Sequence, residues 1–448
     1  MLGRVSADGA QARTTVKKRR ANGNRMPLRR RASRVQLFPA VTAALMAGIV
    51  VAFTADVVMR WITPTNYDTK AAPIEVTKVA LTIVAGVGGV VALVIAYRRQ
   101  RDLEQSRFVE RFGAAAAQLG ATDVAVRIAG VYAMAGVADE SDGLRRQQCI
   151  DVLCGYLRLP YNAEHGASGR TKLVVKAPRV DHGRVRGETE EHIEYRQNDR
   201  EVRATVVRVI ADRLRPEAEY SWSTSNFDFR TAHLEAADFA GTIWSGTTRF
   251  TSANFTGVTR FVGATFNSPV WFDSATFGND ARFDGATFNG RANFGWATFG
   301  PVGFDEATFN GPLWFAWATV GPARFEKATF NGGPTVFATA IFNGPTRFDG
   351  AIFNGLTTRF EAASFNDDAW FDGAIFSGEA IFRRILFSGR ASFRQVDFGS
   401  EPIIFADPLR WGPPPPEFDW HGNGEGRPAN VEPQDWPPVV VTPEANSR

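Results

Sequence analysis

Residues that could carry acid–base, nucleophilic or metal chemistry are sparse in this chain of 448 residues, and they are scattered. His165, His182, His192, His233 and His421 stand far apart, none beside a nucleophile or at metal-ligand spacing from another. Cys149 and Cys154 lack the CxxC or Cys/His spacing of a zinc site and suit half-buried helix thiols in a reducing compartment. No phosphate-binding loop is present. This reads as a non-enzyme without cofactor or metal, so the remaining chemistry is recognition. Two groups of side chains could supply it. Trp271, Trp296, Trp314 and Trp317 cluster within one stretch. Arg260, Arg282, Arg324 and Arg347 each precede a Phe, while Asp284, Asp305, Glu326, Asp349 and Asp372 each follow one.

The element that must position them is a repeat. Between Phe250 and Phe398, Phe returns every five or six residues, which is neither the helical period nor strand alternation. Grouped in fours, the positions run Phe250, Phe255, Phe261, Phe266, then Phe272, Phe277, Phe283, Phe288, and so on to Phe382, Phe387, Phe393, Phe398, with Val320 in one Phe place. Each group advances by roughly 22 residues, and the spare residues fall only at two of the four corners. This predicts a four-sided coil with two rigid and two tolerant corners, about seven turns long and roughly 34 Å tall at ~4.8 Å per turn. One inward ladder is Phe266, Phe288, Phe309, Phe330, Phe353 and Phe376, and the small residue two before each Phe also points inward.

This stretch resembles the pentapeptide-repeat family, with Phe in place of the commoner Leu and an extra corner residue. The resemblance implies a right-handed quadrilateral parallel β-helix. On such a coil the residues flanking Phe face outward. Thr265, Thr287, Thr308 and Thr329, with Asn267, Asn289, Asn310 and Asn331, form structural ladders on one face. The Arg and Asp/Glu columns lie side by side on another and neutralise each other. Trp271 and Trp314 point out from a third, with Trp296 and Trp317 at its turn, a proposed partner-binding surface.

The rest of the chain supplies context. The net charge is +4, with the excess near the start, and the Arg-, Ala- and Gly-rich composition fits a GC-rich bacterial genome. Residues 1–36 read as a basic disordered N-terminus in which Met26 is an alternative start. Residues 37–101 read as two transmembrane helices, from apolar runs at Leu37–Val58 and Val79–Tyr97 whose outer flanks are the more basic. That topology puts both termini in the cytoplasm at a bacterial inner membrane, with the lipid bilayer as one partner; Asp56 lies near the interface, where its charge costs little. Residues 102–225 read as a cytoplasmic α-helical module, with helices at Gln105–Leu119, Asp123–Ala138, Gly143–Leu159 and Asp199–Leu214 and a polar loop around His165–His192. Its Glu110-Arg111-Phe112, Gln118-Leu119-Gly120 and Val126-Arg127-Ile128-Ala129-Gly130-Val131-Tyr132 resemble the juxtamembrane module of membrane-anchored bacterial pentapeptide-repeat proteins, with Ala129 where a second Gly is usual. Capping the open end of the coil is its expected role. Residues 226–400 form the β-helix, and 401–448, with Pro413-Pro414-Pro415-Pro416, a flexible tail.

The functional expectation is a non-enzymatic, membrane-tethered scaffold that binds an unidentified protein, or a second copy of itself, along the coil. The alternative implied by the resemblance is a DNA mimic that binds DNA gyrase, of the quinolone-resistance type. It needs a continuous acidic face, and the matching arginines count against it, as does a membrane anchor that would hold the rod off the chromosome; nucleic acid is not expected as a partner.

Overall fold

The computed structural model describes residues 73–161, 172–181, 184–194 and 199–441, with scattered helical positions between Met46 and Trp61. The chain divides into two compact units, 1–105 and 106–448. Helix α1, Pro73–Leu119, begins in the first and ends in the second.

The membrane hairpin is not found. The run Leu37–Val58 lies outside the described residues apart from isolated helical positions. The run Val79–Tyr97 is part of α1, which continues unbroken into Arg98-Arg99-Gln100-Arg101 and the charged residues beyond. Among the described residues no helix is long and apolar enough to cross a membrane.

In the second unit α1 is followed by α2 (Val124–Asp139), α3 (Gly143–Leu157) and α4 (Asp199–Leu214). Asp123 caps α2 by accepting from the Ala125 N–H at 2.7 Å and the Val126 N–H at 3.2 Å. Gly130 allows α2 to approach the end of α1 closely, since a Cβ there would lie 2.6 Å from the Leu119 nitrogen. Between α3 and α4, where a loop was expected, β1 (Lys172–Asp181) pairs antiparallel with β2 (Arg184–Glu194). The register sets Lys172 opposite Glu194 and Lys176 opposite Glu190.

The coil has four faces, taken in chain order. The first runs from Phe227–Asp228 to Val431–Glu432, the second from His233–Glu235 to Arg410–Trp411, the third from Thr259–Arg260 to Glu417–Phe418 and the fourth from Ile243–Trp244 to Ile375–Phe376. Every neighbouring pair is parallel and one coil apart, as in Val270 with Ala292 and Phe288 with Phe309. The ten strands of the first face make about nine coils, not about seven. The early coils escape the Phe count because Leu234 and Trp244 stand in ladder places. The late ones escape it because the corners lengthen: Ile403 pairs with Val431. The segment after Glu401, expected to be a flexible tail, therefore continues the coil through residue 432.

Both kinds of corner have a physical cause. At the five-residue corners the carbonyl of each Phe accepts from the N–H three residues on, as in Ala253 to Phe250 at 2.9 Å and Ala264 to Phe261 at 3.0 Å. The residue between has positive φ, Ser252 at 56° and Gly263 at 64°, as a type II turn requires. A turn closed by that bond admits no extra residue. The other corners have no such bond within the coil and stack backbone on backbone. At Gly332 a Cβ would lie 1.7 Å from the Asn310 oxygen, so only glycine fits.

Inside, rings stack on rings: Phe266 to Phe288 at 5.1 Å, Phe288 to Phe309 at 4.8 Å, Phe330 to Phe353 and Phe353 to Phe376 at 4.7 Å, all within a few degrees of parallel. Where Val320 replaces Phe, Phe315 tilts 36° from Phe294 and lies over Phe299 at 5.5 Å, filling the space the smaller side chain leaves.

Phe288→Ala is expected to leave a cavity between two stacked rings and to cost about 3–5 kcal/mol, whereas the outward Thr287→Ala costs little. Thermal unfolding of both variants checks this; equal shifts would contradict the register.

Candidate functional site

The first face places two of the four candidate tryptophans by one register. Trp271 and Trp314 both pair with Asn293, from either side, so they stand two strands apart and point the same way. Trp296 and Trp317 follow at the corner to the second face, at φ 57° and 58°. That corner column also holds Ser252, Ser274, Thr339 and Ala362 at positive φ, so the backbone there is common to the turn and not peculiar to tryptophan. The indoles of Trp296 and Trp317 stack at 4.8 Å with planes 5° apart, and 59% and 51% of their surfaces are exposed. Trp314 is 36% exposed and Trp271 is half-buried. These four form one exposed aromatic surface on a coil whose other large rings lie mostly inside.

Two residues the sequence reading did not single out join them. The Arg249 guanidinium lies 5.6 Å from the Trp271 ring centroid and that of Arg291 lies 5.9 Å from Trp314. The signal was present: Arg249 occupies Trp271's register position one coil earlier.

That third face behaves as its columns suggest. Arg324 donates to Asp305 at 2.7 Å, Arg282 donates to Asp280 at 2.7 Å, and Arg347 lies 3.8 Å from both Glu326 and Asp349. Gly303 interrupts the arginine column because the Asp284 and Arg324 side chains fill its space; a Cβ there would be 2.5 Å and 2.9 Å from them. Asp284 and Asp305 also bond upward, accepting from the Asp305 and Glu326 N–H groups. Burial, reinforced by Asp305, raises the pKa of Asp284. Burial likewise raises that of Asp349, which keeps one carboxylate oxygen without a hydrogen-bond partner. On the fourth face the Asn column bonds along the stack: Asn289 to Asn267 and Asn310 to Asn289 at 2.8 Å, Asn331 to Asn310 at 3.0 Å. No equivalent bond joins Thr265, Thr287, Thr308 and Thr329 among the described residues.

The helices close the first end of the coil, and one buried core runs through both. Arg127, fully buried, donates to Asp199 at 2.6 Å and to the Tyr156 hydroxyl at 3.1 Å, and Tyr156 donates to Asp199. Arg203 reaches across to the Leu157 carbonyl and to that of His233 on the coil. Trp222 donates to Asp139 at 2.9 Å beneath the Arg213 guanidinium, which grips the same carboxylate. Every member is engaged by its neighbours, so the cluster joins cap to coil. Cys149 and Cys154 are free and buried, and burial pushes their thiols up to about 11 and about 12. They stay protonated and unreactive at neutral pH. Among the described residues no group of His, Cys, Asp and Glu could hold a metal ion.

A family model described as pentapeptide repeats (9 copies) matches residues 250–298, 297–340 and 337–385. The coil residues within those matches are pentapeptide repeats. Comparison with curated proteins and with solved structures gives no match.

A raised folded pKa means that ionisation costs the folded state more than the unfolded one. Asp349→Asn is therefore expected to raise the melting temperature at pH 7. The gain should shrink as pH falls through the raised folded value toward the ordinary 3.8, where wild-type Asp349 is itself neutral. Melting curves across that range check it; a gain that grows with acidity has the wrong sign.

Proposed function

We propose that the protein is a non-enzymatic interaction module that docks a protein partner on the first face of its pentapeptide-repeat coil. One observation supports this reading above the rest. Trp314 on a strand and Trp296 and Trp317 at the adjoining corner are exposed, with half-buried Trp271 two strands from Trp314, and none of the four contributes to the inward ladder. Large rigid rings on a preformed surface bind with little ordering cost, which is why tryptophan dominates interaction hot spots. The finer reading places the module at a membrane through the apolar runs Leu37–Val58 and Val79–Tyr97, with the coil on the cytoplasmic side. Fractionation of cells expressing the full chain tests that part separately: recovery from the soluble fraction removes the tether and leaves the module.

Docking predicts that Trp271→Ala and Trp314→Ala each weaken partner binding by about 2 kcal/mol or more while leaving the melting temperature nearly unchanged. Thr287→Ala and Thr308→Ala on the fourth face serve as controls. Affinity capture with quantified retained proteins reads the difference, and identical retention by both double variants would refute the surface.

The DNA-mimic reading makes the opposite demand, an acidic face free of counter-charge. With Arg324 on Asp305 and Arg347 beside Glu326 and Asp349, the full chain is expected to leave gyrase supercoiling unaffected at micromolar concentration. Inhibition that disappears on charge reversal of Asp284, Asp305 and Glu326 would replace docking with mimicry.

A further inference from the structure

We propose that the first face binds a proline-rich segment of a partner protein, held as a polyproline II helix and carrying carboxylates about one turn apart. This deepens the docking reading and rests on it.

The mode of recognition follows from what the coil has already used. Backbone groups of the first face are engaged up the stack: Phe272 donates to the Asn293 carbonyl and Phe294 to that of Trp314, both at 2.7 Å. A strand cannot add to the middle of such a face, so side chains must do the binding. The side chains available are indoles at a set interval. Trp271 and Trp314, two strands apart, are separated by ~9.6 Å at the usual strand spacing. A polyproline II helix completes its turn in about 9.3 Å, so residues three apart along such a segment meet successive indoles without adjustment. The position between the two indoles is cleared, because Asn293 folds back to accept from the Gly295 N–H at 3.1 Å. A proline-rich segment needs no backbone donors from its host and is already stiff, which suits a surface offering only rings and charges.

Charge gives the second half of the match. Arg249 stands one coil before Trp271 at the indoles' own register position, and Arg291 stands one coil before Trp314 but two residues ahead of that position. Among the described residues neither pairs with a carboxylate, whereas Arg282, Arg324 and Arg347 on the third face do. Carboxylates on the incoming segment would complete them. Single-stranded nucleic acid, the other ligand that rings and arginines suggest, fits less well. Trp296 and Trp317 already touch at 4.8 Å. Admitting a base between them would need about 6.8 Å, twice the ~3.4 Å stacking distance.

The test titrates the full chain with fluorescein-labelled peptides and reads anisotropy. The probes are repeated Pro-Pro-Glu triplets, the same length of Pro-Pro-Gln, flexible Gly-Ser-Glu triplets, and oligothymidylate. Saturable binding of the Pro-Pro-Glu peptide is expected, weakened about tenfold or more by Trp271→Ala with Trp314→Ala. Arg249→Gln with Arg291→Gln should bring its affinity down to that of Pro-Pro-Gln. These arginines are exposed, so this pair of variants stays informative if the tryptophan pair does not fold. Equal binding of Gly-Ser-Glu would show charge alone at work, and tighter binding of oligothymidylate would show a nucleic-acid surface. No saturable binding of Pro-Pro-Glu, or self-association through Trp271 and Trp314 that shuts the peptide out, also overturns the proposal. If Trp-dependent capture of a protein partner persists while the peptide fails, this inference alone falls and docking stands.

Discussion

The controlling constraint is the parallel stacking of one coil on the next, which holds aromatic rings at 4.7–5.1 Å along most of the length. A ring at this spacing excludes water on both flat sides and forces the same residue type to recur one coil later. The alanines two before each Phe, such as Ala264, Ala286 and Ala307, follow from it, because the tube has room for one large and one small side chain per side. So does the division of the corners. A side ending in a type II turn is locked at five residues, and all variation in length is pushed to the glycine-rich corners.

A stack of parallel strands has two open ends, and each would invite another chain. At the first end the helices reach the opening coil through Arg203 on the His233 carbonyl, Arg158 on Asp228 and Arg200 on Glu235. At the far end Trp436 stands edge-on to Phe405, Trp411 and Phe418 at 5.3–6.0 Å, so aromatic residues of the last coil close the tube. The buried arginines show the same logic in polar form. Removing charges from water is costly unless each is matched, and Arg127 meets both a carboxylate and a hydroxyl.

The middle of the coil was legible because an inward Phe must recur, and a five/six alternation has few geometric solutions. The four faces, the turn-locked corners and the Asn column all follow from that one period. The ends were not legible, for the same reason. A terminal coil packs against a cap instead of another coil, so Trp244, Trp411 and Trp436 stand where a Phe count finds nothing. The pairing of Lys172–Asp181 with Arg184–Glu194 was not legible, because a polar, basic composition reads as a loop. Of the candidate surface, the tryptophans were legible as outward residues. Their arginine partners were not, since Arg249 and Trp271 are 22 positions apart and meet only through the stacking.

That last point bears on how a solenoid acquires function. Inward positions answer to the ring ladder and corner positions to the turn, so neither is free to specialise. Outward positions answer only to their vertical neighbours. On the third and fourth faces neighbouring side chains pair along the stack, Arg324 with Asp305 and Asn310 with Asn289. On the first face the indoles of Trp271 and Trp314 have guanidiniums beside them but no carboxylate, and Trp296 stacks on Trp317 with both edges in solvent. Under the docking proposal, a surface whose members could have been matched at no cost to the fold, and are not, is where a partner's groups would sit. The rigidity of the stack then matters for binding as well as for folding. The spacing of those indoles is set by backbone hydrogen bonds and does not relax, so the proposed partner would be selected by whether its own repeat agrees with it.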